Sequence, residues 1–163
     1  MTQSHSGGCQ SHSGGCQCGA VRFRVDGPLG DASVCHCRMC QKAFGGFYAP
    51  LVSVREGTLT WTRGAPKLFQ SSNAARRGFC ADCGTPLTYE APDGIAIAIG
   101  AFDAPQDIAP KMQWGVEAKL AFVDDVPGLP QMPTQADHDA AAFLVDLVSF
   151  QHPDHDTDRW PSA

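Results

Sequence analysis

The sequence predicts a mainly β, antiparallel domain with one helix near its C-terminus, on three observations. Short apolar runs alternate with polar residues at period two, the mark of strands that bury one face. Turn formers such as DGPLG, RGAP and APDG punctuate those runs at close spacing. Only one stretch, late in the chain, carries apolar residues at helical spacing. With 163 residues, of which 43% are hydrophobic, the chain suits a single domain with a sizeable core.

The elements follow in order. The chain first repeats itself, SHSGGCQ at 4–10 and again at 11–17. Seven residues are too few for a stacking repeat, which needs about 20. Residues 1–13 therefore read as a flexible duplicated arm, with Cys9 a free thiol on it or a spare metal ligand. AVRFRVD then sets Val21, Phe23 and Val25 on one face and Arg22, Arg24 and Asp26 on the other. Further strands are expected over 47–52, 59–62, 67–70, 87–90, 95–99 and 112–116, which makes 14–131 the domain proper. Beyond it, QADHDAAAFLVDLVSF places Ala140, Phe143, Leu144, Leu147 and Val148 at helical spacing behind a capping pair, Thr134 and Asp137. This amphipathic helix would pack on the sheet or on a second subunit, the latter making a homodimer. The polar end QHPDHDTDRWPSA reads as a loose tail, its His152 and His155 solvated rather than ligating.

Composition excludes several function classes. No stretch approaches the roughly 18 apolar residues of a membrane span, and MTQSHSGGCQ lacks the basic-then-apolar pattern of a signal peptide. The expectation is a cytoplasmic protein with no membrane partner. A net charge of −5 leaves no basic footprint for nucleic acid. In a reducing compartment, eight cysteines grouped as C-x-C, C-x-C-x-x-C and C-x-x-C point to metal rather than to disulfides.

Closed four-thiolate zinc sites are commonly built from two tight loops, each aiming two sulfurs the same way. CQCG and CADCG are two such loops, each ending in a glycine that can take positive φ. Cys16, Cys18, Cys80 and Cys83 thus form one structural site, and binding on the order of 10 kcal/mol would help offset the entropy of ordering the loops. Cys35, Cys37 and Cys40 are left with one another, three ligands and an open fourth position, as in a catalytic zinc site. His36 lies between two of these ligands and should point away from them. Three thiolates weaken the zinc as a Lewis acid toward water, yet it can hold an incoming thiol as thiolate, which favours sulfur chemistry over hydrolysis. Spacing alone leaves two alternatives open: a pure zinc-ribbon scaffold, and another partition such as Cys35 and Cys37 with Cys80 and Cys83.

Four segments in order, GGCQCGAVRF, CHCRMCQKAFGG, RRGFCADCGTPLTYE and WGVEAKLAFVDDVPGLPQ, resemble the successive signatures of the glutathione-dependent formaldehyde-activating enzyme family, which includes centromere protein V-like domains. The likeness runs over 14–131. It implies a β-tent, with antiparallel sheets meeting at a zinc. It also implies a carbon–sulfur lyase or synthase that joins glutathione, or a similar small thiol, to formaldehyde as S-hydroxymethylglutathione. By the same resemblance Cys16, Cys18, Cys80 and Cys83 hold the structural zinc, and Cys35, Cys37 and Cys40 mark where the adduct forms. Gln41 stands where the family often has arginine, and Phe122 where tryptophan is usual. Lys42, Arg76 and Arg77 flank the cysteine motifs and are candidates to bind charged substrate groups. Phe44, Phe47 and Tyr48 are candidates to wall a pocket. The alternative function is a zinc-stabilised binding module of the same fold without turnover.

Overall fold

The computed structural model describes residues 10–54, 57–133 and 141–160. In chain order its elements are β1 (Ser11–Gly15), β2 (Arg22–Asp26), β3 (Ala32–Cys35), α1 (Arg38–Phe44), β4 (Ala49–Ser53), β5 (Thr58–Arg63), β6 (Lys67–Gln70), β7 (Arg76–Phe79), β8 (Pro86–Ala91), β9 (Gly94–Ala98) and β10 (Met112–Trp114), with short 3-10 turns between and after them. The strands make two sheets, one ordered β1-β2-β5 and one ordered β10-β3-β4-β9-β8-β7-β6.

Alternation in β2 does what period two requires. Phe23 and Val25 are completely buried while Arg24 faces solvent. Phe23 meets Trp61 and Phe102 edge-on, with ring centroids 5.9 and 5.1 Å apart. Val52, Leu87 and Ile97 of the larger sheet join the same buried cluster, so the core lies where the inner faces of the two sheets meet. Arg22, on the polar side of β2, is buried as well, because Asp103 takes it in a two-pronged pair at 2.8 and 2.6 Å.

Four expectations are corrected. Three strands go beyond the apolar pattern: β1, β3 and β7. β1 is serine and glycine, and becomes a strand by backbone pairing with β2, from Ser11 opposite Asp26 to Gly15 opposite Arg22. Residues 11–13 therefore belong to the sheet and not to an arm; Cys9 and the rest of the first copy of the repeat before Gln10 lie outside the described residues. Second, pairing is not wholly antiparallel, since β10 runs parallel to β3, with Trp114 opposite Cys35.

Third, the late helix does not form over the described residues 141–150, which hold a single 3-10 turn, Ala142–Leu144; residues 134–140 lie outside the description. Phe143, Leu147 and Val148 are 71%, 62% and 70% exposed. A helical stripe is stabilised mainly by the surface it covers, and these three residues cover little. The α-helix among the described residues is instead α1, whose N-terminus is capped by the Cys37 sulfur accepting from the Cys40 N–H at 3.4 Å. Fourth, the described part of the tail, residues 151–160, is docked rather than loose. His152 is buried, its N–H donates to the Gln17 carbonyl at 2.7 Å, Asp156 pairs with Arg22 at 2.7 Å, and Arg63 donates to the Thr157 carbonyl.

Candidate active site

The turn after β1 carries Cys16 and Cys18, and the turn between β7 and β8 carries Cys80 and Cys83. Their four sulfurs lie within 4.8 Å of one another, with Cys16 to Cys18 at 3.6 Å and Cys18 to Cys80 at 3.8 Å. Four sulfurs at about 2.3 Å around a tetrahedral zinc are separated by roughly 3.8 Å, so this donor set fits that ion. Gly19 and Gly84 close the two turns at φ 74° and 77°, donating to the Cys16 and Cys80 carbonyls at 3.0 Å each. Proton affinities within the cluster diverge. Burial pushes Cys18 up to about 12. Cys83 is also raised by burial, but hydrogen bonds from the side chain and backbone of Thr85 and from Cys18 outweigh that and hold it at about 6. A divalent cation among them would favour the thiolate form of all four.

The second cluster forms where β3 runs into α1. Cys35 ends the strand, Cys37 caps the helix, Cys40 sits in its first turn, and the three sulfurs again lie within 4.8 Å. His36 is buried and turned away, its Nε2 paired with Gln113 Oε1 at 2.9 Å and its ring edge-on to Tyr48. Its backbone N–H donates to the Trp114 carbonyl at 2.8 Å, which ties β10 to the site. Burial pushes Cys40 up to about 12, against the opposing pull of Arg77. Cys37 ends lower than an ordinary thiol: burial raises it, but donors from Cys40, Cys35 and the Met39 backbone prevail.

These thiols line one side of a cavity of about 390 Å³. Apolar walls come from Met39, Leu51, Met112 and Trp114, and polar groups from Arg77, Tyr89, Lys111, Asp31 and Asp93. Arg77, only 7% exposed, donates through Nε to Ser71 Oγ at 3.2 Å and through Nη2 to Cys40 Sγ at 3.4 Å. Its guanidinium carbon lies 5.1 Å from the centre of the Tyr89 ring. The remaining nitrogen, Nη1, is buried without a partner.

Of the three basic residues singled out by sequence, the fold brings only Arg77 to the cavity. Arg76, one position earlier on β7, points the other way and pairs with Glu90 at 2.7 Å. Lys42 is exposed in the last turn of α1 and lines no part of the cavity. None of the three aromatics walls it either: Phe44 packs against the core clusters, Phe47 against Phe122, and Tyr48 against His36. Sequence reading passed over Tyr89, which reaches the site as the cross-strand partner of Arg77, and Lys111. Gln41 is a scaffold residue: its Nε2 donates to the carbonyls of His36 at 2.6 Å and Ala118 at 3.0 Å, and its Oε1 accepts from Arg38 at 2.9 Å.

A sequence model of the family described as glutathione-dependent formaldehyde-activating enzyme matches residues 11–117. The match contains both thiol clusters and stops short of the segment 118–131 included in the likeness above. Comparison with curated proteins finds no match. Among solved structures, a crystal structure of a Rhodobacter sphaeroides protein is 24% identical with a TM-score of 0.48, covering 63% of this chain and 98% of that one.

Proposed function

The chain belongs to the glutathione-dependent formaldehyde-activating enzyme family, and on that premise we propose that it makes and breaks a carbon–sulfur bond between a small thiol of the glutathione kind and an aldehyde such as formaldehyde. One observation carries the reading: three thiols and a buried guanidinium face one cavity of about 390 Å³, within the range of small-molecule sites. Cys35, Cys37 and Cys40 would hold a zinc ion, which when bound supplies an open position where a thiol is kept as thiolate. Met39, Leu51 and Trp114 give the bound thiol an apolar wall and limit water around the reacting atoms. Lys111 offers a cationic partner to its anionic groups.

Cys16, Cys18, Cys80 and Cys83 would hold a second zinc, sealed and structural, at the meeting of the two sheets, which is in keeping with a tent closed by metal. Among the described residues all seven cysteines are free, as suits a cytoplasmic protein, and no helix is long and apolar enough to cross a membrane.

The test is zinc per chain in wild type, Cys35→Ser, Cys40→Ser and Cys80→Ser, followed by the zinc-edge spectrum on adding glutathione. A site that depends on the trio and gains a sulfur ligand supports the enzyme. A single zinc, indifferent to Cys35→Ser and blind to thiol, would make the protein a binding module.

A further inference from the structure

We propose that Arg77 is a catalytic residue of this site, the donor that takes up the charge on the carbonyl oxygen as the carbon–sulfur bond forms; the inference rests on the function proposed above. A buried cation is costly unless an anion accompanies it. Arg77 is buried and among the described residues is in no ion pair with a carboxylate; the anion beside it in zinc-loaded protein is the Cys40 sulfur, 3.4 Å from Nη2. Two of its nitrogens are committed, Nε to Ser71 and Nη2 to the Cys40 sulfur. The third, Nη1, has lost its water and found nothing in exchange. Leaving such a donor unmade is costly, a deficit that a transient oxygen anion would remove.

The chemistry has a use for that geometry. The thiol gives its proton to solvent; a sulfur lone pair attacks the carbonyl carbon; the C–S bond forms as the C=O π pair moves onto oxygen. The oxyanion then takes a proton from water, giving the S-hydroxyalkyl adduct, and the lyase direction runs the same atoms backwards. Negative charge begins on sulfur and ends on oxygen. A planar guanidinium held by Ser71 and by the Cys40 sulfur, with its other amino group unpartnered, is a donor fixed in place for the charge that arrives on oxygen. Donors fixed in place before the charge arrives act mainly on the transition state. Ser71, through Nε, is the residue that positions the fork.

The experiment uses zinc-loaded protein with glutathione and ¹³C-formaldehyde, the exchange being followed by NMR. Arg77→Lys keeps the charge and loses the fork, and should lower kcat on the order of 10²-fold while the KM for thiol and the zinc content stay at wild-type values. Ser71→Ala, which frees the fork without removing it, should lower kcat by a smaller factor. Independently of turnover, formate, a one-carbon oxyanion, should perturb the tryptophan fluorescence of wild type and do so more weakly in Arg77→Lys. A folded, zinc-replete Arg77→Lys turning over at the wild-type rate overturns the inference alone. So does a loss confined to KM for glutathione with 2-mercaptoethanol unaffected, which would make Arg77 a carboxylate binder. A wild type that does not accelerate exchange removes the proposed function, and this inference with it.

Discussion

Gly115 shows how much of the thiol site is decided by single residues. It sits at φ 63°, and a Cβ built on it would lie 2.8 Å from the Cys37 backbone nitrogen and 3.1 Å from the Cys37 Cβ. The obstacles include backbone, which cannot swing aside, and an L side chain at that φ costs about 1–2 kcal/mol in its own right. Gly115→Ala should therefore destabilise the protein by at least that amount and push Cys37 out of register with Cys35 and Cys40. Metal analysis should find zinc lost from the trio and retained by the four-thiol site in a protein whose circular dichroism is unchanged. Gln41 makes a complementary case. Leucine is of similar size but has no polar atoms, so Gln41→Leu would strip the His36 and Ala118 carbonyls of their donor. A loss of about 1–3 kcal/mol in urea denaturation is expected, with the trio's zinc affinity falling too, since both carbonyls flank segments that frame it.

Among the elements, legibility in the sequence follows the source of each one's stability. β2 buries Phe23 and Val25 against the core and announces it by alternation, whereas β1 and β7 are held by backbone register with neighbours, which leaves no trace in side-chain order. α1 has only seven residues, two turns, too few for a 3.6-residue period to emerge, and its N-cap is a cysteine rather than one of the usual hydroxyl or carboxamide caps. The C-terminal strap was illegible because its anchors are distant in sequence: Asp156 on Arg22, Thr157 on Arg63, His152 on Gln17.

That strap carries a pH prediction. Burial, together with the nearby Arg22 and Arg63, outweighs the hydrogen bond to the Pro153 carbonyl and the attraction of Asp103 and lowers the His152 pKa below its ordinary 6.5. Its bonds agree with a neutral ring, Nδ1 donating to the Pro153 carbonyl at 2.7 Å and Nε2 accepting from the Thr157 hydroxyl at 2.9 Å. With the folded value below the unfolded one, the docking contribution of His152 is complete above pH 6.5 and is lost as pH falls through the folded pKa. Trp160, whose ring meets His152 edge-on at 5.2 Å, should report the release as a fluorescence change on mild acidification. His152→Gln should flatten that change, and an unaltered transition in the variant would refute the assignment.

At the scale of the whole molecule the two thiol clusters differ in what they join. Cys16 and Cys18 stand between β1 and β2 of the smaller sheet, Cys80 and Cys83 between β7 and β8 of the larger one, so a metal held there would tie the two sheets together. Cys35, Cys37 and Cys40 come from one strand and the helix that follows it, all attached to the larger sheet. Ligand spacing within each loop was readable in sequence because it is local; the cavity was not, since Tyr89, Lys111 and Trp114 arrive from strands and loops far along the chain. Stability should divide along the same line. Removing one ligand of the closed centre forfeits much of a binding term on the order of 10 kcal/mol that is coupled to folding, so Cys80→Ser should unfold the domain or lower its melting temperature by tens of degrees. Cys35→Ser removes a ligand from a site whose backbone is already organised by β3 and α1, and should stay within about 1–2 kcal/mol of wild type. A chelator should likewise act in two stages, the first from the cavity-facing trio with the circular dichroism intact, the second with loss of the fold. Equal melting temperatures for Cys80→Ser and Cys35→Ser, or one chelation step that unfolds everything at once, would show that the seven thiols do not divide into a structural four and a functional three.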